Sequence, residues 1–209
     1  MPIVVLAVDS NFESWTKAAF NYRQRHVYPY LESKGFTAVR WQGPLARRYY
    51  VAPEARRPNV AYVTGVGHGS EDTYTGDQYS VIFRVGDYSK EECERKIVHF
   101  LSCQTARALG RDLVAHGCRA FFGYDVDFTF STAEGDVFFE CDSEIDRAFA
   151  DGLTAARVYD RVVRCYSRRI AELRAAGHLY VAAILEMDRD HLRAPSSGPQ
   201  WGDRQARLA

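Results

Sequence analysis

Ala61-Tyr-Val-Thr-Gly-Val-Gly-His68-Gly69-Ser70 and Ile97-Val-His-Phe-Leu-Ser-Cys103-Gln-Thr-Ala are two apolar runs of strand length, and each stops at a chemically active side chain. The first stops at a histidine between two glycines. The second stops at a cysteine followed at once by a helical pattern, over residues 104–116. In a parallel α/β sheet the carboxyl ends of strands lie along one edge, where active sites form. A histidine and a cysteine on adjacent strand ends can make a nucleophile and its base. The interval between residues 68 and 103 is long enough for one crossover to a neighbouring parallel strand.

Working outward, Ile3-Val-Val-Leu-Ala-Val8 is a continuous apolar run, the mark of a strand buried on both faces. Asp9-Ser10-Asn11 follows, and Asp9 reads as an N-cap for a helix over residues 12–34, which Pro29 kinks or divides. Residues 37–41 alternate as a second strand. Residues 42–58 carry three prolines and the pairs Arg47-Arg48 and Arg56-Arg57, which suggests a short helix or exposed loop open to self-cleavage. Residues 78–85 read as an extended hairpin arm, and Ser89 to Glu92 as a capping box. A fifth strand covers residues 119–123. Helical patterns then occupy residues 134–150, 154–176 and 179–192. This order indicates an α/β sandwich with a mostly parallel sheet. Residues 1–193 form one domain, and residues 194–209, which lose periodicity after Pro195-Ser-Ser-Gly-Pro199, read as a mobile tail.

The 209-residue chain carries 27 basic and 27 acidic residues, a balance that argues against a dedicated nucleic-acid binder. No apolar run approaches the roughly 20 residues that span a bilayer. The start of the chain lacks the basic region of a secretory signal and reads as a strand, so a cytoplasmic protein without nucleic-acid or membrane partners is expected. The five cysteines show no C-x-x-C spacing, which fits reduced thiols better than a disulfide framework or a zinc site. Cys118, Cys141 and Cys165 read as small core residues, and His99 and His116 as structural. Gly65-x-Gly67-x-Gly69 departs from a dinucleotide fingerprint, since Ser70 follows and no helix opens there.

Val63-Thr-Gly-Val-Gly-His68-Gly69 resembles the strand-plus-His-Gly motif of caspase-like cysteine peptidases. Leu101-Ser-Cys103-Gln-Thr-Ala106 is similar to the Leu-Ser-Ala-Cys-Glu-Thr motif of their CHAT group, with Ser102 directly before the cysteine. Gly117-Cys-Arg-Ala-Phe-Phe-Gly-Tyr-Asp-Val-Asp127 resembles a further segment of that family, which includes separases, gingipains and clostripain. The resemblance covers residues 60–130; the Gln-Ala-Cys-Arg-Gly signature of animal caspases is absent. It implies a caspase-like three-layer sandwich and a cysteine endopeptidase with Cys103 as nucleophile and His68 as general base or acid. The backbone N–H groups of Gly69 and Cys103 would form the oxyanion hole. No metal or organic cofactor is needed; the partners are a protein or peptide substrate and a separate regulatory chain. If the stretch after residue 123 stays extended, Asp125 and Asp127 share one face and could bind a substrate arginine or lysine. A catalytically silent binding module of the same fold is the alternative.

Overall fold

The central sheet grows from β1 (Val4–Asp9), whose side chains are buried on both faces. Val4, Leu6 and Val8 join one apolar core and Val5 and Ala7 the other. This is what a continuous apolar run predicts for a strand with a layer on each side. The remaining strands are β2 (Thr37–Gln42), β3 (Val60–Val66), β6 (Ile97–Leu101), β7 (Ala120–Tyr124) and the short β8 (Leu192–Arg193). Their order is β2-β1-β3-β6-β7-β8, parallel except for β8. A separate hairpin, β4 (Thr73–Thr75) with β5 (Val81–Arg84), leans on the second core. The computed structural model describes residues 3–208.

Helices α1 (Ser14–His26), α2 (Tyr28–Ser33), α5 (Gly135–Ala150), α6 (Ala155–Ala175) and α7 (Leu179–His191) cover one face. Helices α3 (Arg48–Ala55) and α4 (Leu109–Ala115) cover the other. The expected α/β architecture with a mostly parallel sheet is therefore present. Pro29 falls in the first turn of α2 and divides the first helical stretch, as its missing N–H requires. Residues 42–58 are not an open loop. Arg48 and Arg56 both pair with the buried Glu92, at 2.5 and 3.2 Å, and Arg47 pairs with Asp77 at 2.8 Å. Glu92 also accepts from the Ser89 N–H at 3.1 Å, so one carboxylate ties α3 to the turn before β6.

Asp9 is not the N-cap of α1. Glu13 caps α1 instead, accepting from the N–H groups of Thr16 and Trp15 at 2.7 and 3.1 Å. Asp9 is fully buried; it accepts from the Val66 N–H at 3.1 Å and from the Tyr28 hydroxyl, and lies 3.6 Å from Arg23. Arg23, fully buried too, donates to Asp146 at 3.0 Å and to Thr64 at 2.8 Å. His99 continues the network, with Nε2 3.1 Å from Asp142 and Nδ1 3.4 Å from Asp146. Burial alone would push the His99 pKa down; the two carboxylates outweigh it and hold it up at about 9. The same cations hold Asp146 far below the usual carboxylate range against its own burial.

The reading of residues 194–209 as a mobile tail is overturned for residues 194–208; residue 209 lies outside the described residues. Trp201 is buried and donates its indole N–H to the Ala106 carbonyl at 3.0 Å. Ala155 and Ala156 donate to the carbonyls of Ala206 and Arg204 at 2.7 and 2.9 Å, and Asp203 donates to Arg119 at 2.7 Å. Weak periodicity concealed a segment held by backbone hydrogen bonds and one large aromatic ring.

Two outcomes follow for stability. Trp201→Ala should cost about 3–5 kcal/mol, the usual figure for emptying a buried tryptophan site, read as a lower urea midpoint at unchanged m-value. A pKa raised from 6.5 to about 9 in the folded state gives His99 a stabilising contribution that is complete below pH 6.5. It falls away as pH rises towards 9, and in total it is about 3 kcal/mol at 1.36 per unit. Thermal melts from pH 6 to 9.5 should show that decline, and His99→Gln should flatten it.

Candidate functional site

His68 and Cys103 line one pocket of about 290 Å³ at the carboxyl edge of the sheet. Each arrives there on a loop that leaves a parallel strand, β3 or β6. The two glycines that flank His68 explain its placement. A Cβ on Gly67 would sit 2.1 Å from the Thr75 carbonyl oxygen, and one on Gly69 would sit 2.4 Å from the Cys103 carbonyl oxygen. No side chain fits at either distance, so the glycines let the histidine loop wedge between the β4–β5 hairpin and the cysteine loop. The glycine pattern serves close backbone packing, not phosphate binding.

The two expected oxyanion donors belong to the loops that this contact joins. Gly69 is bridged to Tyr74 in a non-hydrogen-bonded register, with the neighbouring bonds made by Ser70 and Thr75. Its N–H has no acceptor among the described residues, and neither has the N–H of Cys103. Gln104, in contrast, donates to the Val126 carbonyl at 2.9 Å.

The expected helix over residues 104–116 begins late. α4 starts at Leu109, so Cys103 does not sit at a helix N-terminus, and a helix dipole does not act on its thiol. The reason lies in the backbone bonds of residues 102–108. Gln104 adopts φ +57, and the N–H groups of Gln104 and Ala106 go to the Val126 and Tyr124 carbonyls. Those donors satisfy the end of β7 before the chain can turn helical.

The imidazole of His68 has a built surround. Its Nε2 lies 3.3 Å from the Glu13 carboxylate, at an angle that does not make a hydrogen bond. The Tyr79 ring lies 4.9 Å away, tilted by 35°, and Phe12 is 6.1 Å away. Tyr79 and Gln78 both hold positive φ, at 60 and 47, a conformation that costs energy for residues other than glycine. No hydrogen bond joins His68 to Cys103 in this conformation. Burial pushes the Cys103 thiol up, Asp127 adds to the rise, and the Phe128 N–H opposes it; the thiol stands at about 11. At rest the nucleophile candidate is a neutral thiol.

Asp125 and Asp127 do not share a face. β7 ends at Tyr124 and the chain bends there. Asp125 turns back and pairs with Arg193 at 2.6 Å and His191 at 2.8 Å. Asp127 is exposed beside the cysteine loop and accepts from Gln104 at 2.8 Å. The expected acidic pair for a substrate cation is therefore broken up by an internal arginine. The pocket walls are instead Trp15, Ala19, Val66, Leu101 and the rings of Phe128, Phe130 and Phe139.

Sequence reasoning missed Glu13, Tyr79 and Asp188. Asp188 is buried behind the wall formed by residues 128–130; one oxygen accepts from the Thr129 N–H at 3.4 Å and the other has no partner. Burial pushes its pKa well above the usual range. Its signal was available: it continues the buried stripe Val181, Ala182, Leu185 of α7, where an acidic residue is anomalous. Compared with protein-family models and with the curated proteins, the chain matches none. Among the described residues, no helix is long and apolar enough to cross a membrane.

The Asp127 contribution can be read directly. Because Asp127 helps hold the Cys103 thiol up, Asp127→Asn should lower its pKa and raise its alkylation rate by iodoacetamide at pH 8. An unchanged rate profile between pH 7 and 10 would show that burial alone sets the value.

Proposed function

We propose that the chain is a cysteine peptidase of caspase-like architecture, with Cys103 as nucleophile and His68 as general base and acid. The observation that carries the reading is the contact of Gly69 with the Cys103 backbone. That contact joins the loops of a thiol and an imidazole that line one pocket, and the N–H groups of Gly69 and Cys103 are left without protein acceptors among the described residues. The Cys103 sulfur attacks the scissile carbonyl carbon after passing its proton to His68. The two N–H groups receive the oxyanion that forms. Collapse of the tetrahedral adduct breaks the C–N bond, and His68 returns the proton to the leaving amine. Water, deprotonated by His68, then cleaves the thioester and releases the acid.

The substrate follows from the pocket walls. A cavity of about 290 Å³ is at the small end for ligand sites, suited to a single side chain, and aromatic and aliphatic groups line it. An apolar residue before the scissile bond fits this lining. A basic residue has Asp127 at the rim, since Asp125 is already paired. The activated state needs the Cys103 pKa to fall, which withdrawal of Asp127 by a bound peptide or regulatory chain would favour. A second reading, a silent binding module, draws on one observation: the thiol is protonated and makes no hydrogen bond to His68 in this conformation.

Cys103→Ala and His68→Ala should each lower kcat/KM by about a thousandfold or more while the double variant loses little further, as for residues that act as one unit. Fluorogenic peptides that differ only before the scissile bond should rank Leu or Phe above Arg. Covalent labelling of Cys103 by a peptidyl acyloxymethyl ketone separates the two readings; failure to label at any pH, with or without cell extract, would favour the silent module.

A further inference from the structure

The five cysteines of the described chain are not equivalent, and the unusual pair lies away from the pocket. Cys141 on α5 and Cys165 on α6 face one another across the helix–helix contact, with their sulfurs 3.8 Å apart. One turn further along α6, Arg168 folds back so that its guanidinium is 3.9 Å from the Cys165 sulfur. The arginine side chain is more than half exposed, whereas Cys141 is fully buried and Cys165 nearly so. Glu140 holds Arg168 and Arg169 on the same surface, at 3.4 Å to Arg168. The arrangement is a thiol with a cation at its solvent side and a second thiol behind it.

We propose that Cys141 and Cys165 form a peroxide-reactive cysteine pair, in which peroxide reaches Cys165 from the Arg168 side and Cys141 resolves the product as a disulfide. The Cys165 thiolate displaces hydroxide from hydrogen peroxide, the oxidant, and becomes a sulfenic acid; a proton taken up with the hydroxide gives one water. The Cys141 thiol then attacks the Cys165 sulfur, the S–S bond forms, and hydroxide leaves with the Cys141 proton as a second water. Two thiols have lost two electrons and one peroxide has gained them. A disulfide of about 2.05 Å requires the two sulfurs to close by less than one carbon–carbon contact distance.

The environment favours this order of events. With Cys165 ionised, the Cys141 thiol donates a hydrogen bond to it and Arg168 adds another, which together outweigh burial and bring its pKa down to about 7. The same hydrogen bond and burial push Cys141 up, so it serves as the resolving thiol. The other candidates are held back by burial: Cys103 at about 11 and Cys93 at about 12. Cys118 is pushed up as well. The thiolate is the reactive form, so the most oxidisable thiol and the proposed peptidase nucleophile are different residues.

The test needs no peptidase activity. Fully reduced protein is treated with hydrogen peroxide at pH 7.5, blocked with iodoacetamide at intervals, digested and mapped by mass spectrometry. The expected first product is a peptide pair joined through Cys141 and Cys165. In Cys141→Ser a cyclic-diketone probe should trap a sulfenic acid at Cys165. Arg168→Gln, an exposed change that leaves the core intact, should slow disulfide formation several-fold at unchanged far-UV circular dichroism. Oxidation of Cys103 or Cys93 before the pair would overturn the proposal, as would an Arg168→Gln rate equal to that of the native chain.

Discussion

A single buried guanidinium, that of Arg23, is the constraint on which the layers depend. It is fully excluded from water and lies between Asp9 on β1 and Asp146 on α5, with Thr64 of β3 accepting from it as well. Removing one member of such a set leaves the others as uncompensated charges, at a cost of about 3–5 kcal/mol. Thr64 and His99 are register partners on β3 and β6, so the network fixes two strands against one helix. Tyr124 on β7 and Tyr166 on α6 extend it through Asp142. Hydrophobic packing against a sheet is non-directional; the polar set supplies the orientation that apolar contacts lack.

The site inherits its position from that framework. β3 and β6 are the two strands the network joins, and His68 and Cys103 follow them directly. The loops that carry these residues are free to serve chemistry because their strands are fixed below. The close approach at Gly69 then brings the two loops into contact. What the framework does not supply is thiol activation, since α4 starts beyond the cysteine loop and burial governs the sulfur.

Much of this was legible in the residues. Continuous apolar runs located β1, β3 and β6 within a residue or so, because a strand buried on both faces leaves few other readings. Gly117, Gly152 and Gly177 stand just past helix ends, each with positive φ, where glycine is the residue a helix stop favours. The failures have particular causes. Gln104 and Ala106 carry good helical propensity, yet their donors are claimed by the carbonyls of Val126 and Tyr124 at the end of β7, a tertiary contact that no local pattern encodes. Asp125 and Asp127 looked alike in sequence; Arg193, far along the chain, captured one of them. Asp9 had every mark of an N-cap and was instead required by Arg23. In each case a partner distant in sequence outbid a local preference.

The indole of Trp201 bears on the Ala106 carbonyl from 95 positions further along the chain. That separation has a consequence for biogenesis. A ribosome synthesising this polypeptide delivers β3, β6 and the cysteine loop long before it delivers the tryptophan that braces the loop from below. Contacts of such range form slowly, because their loop-closure entropy is lost before any contact compensates for it. The nascent chain therefore carries an unbraced Cys103 loop until the segment around Trp201 has emerged and docked, and only then does the pocket reach its final shape.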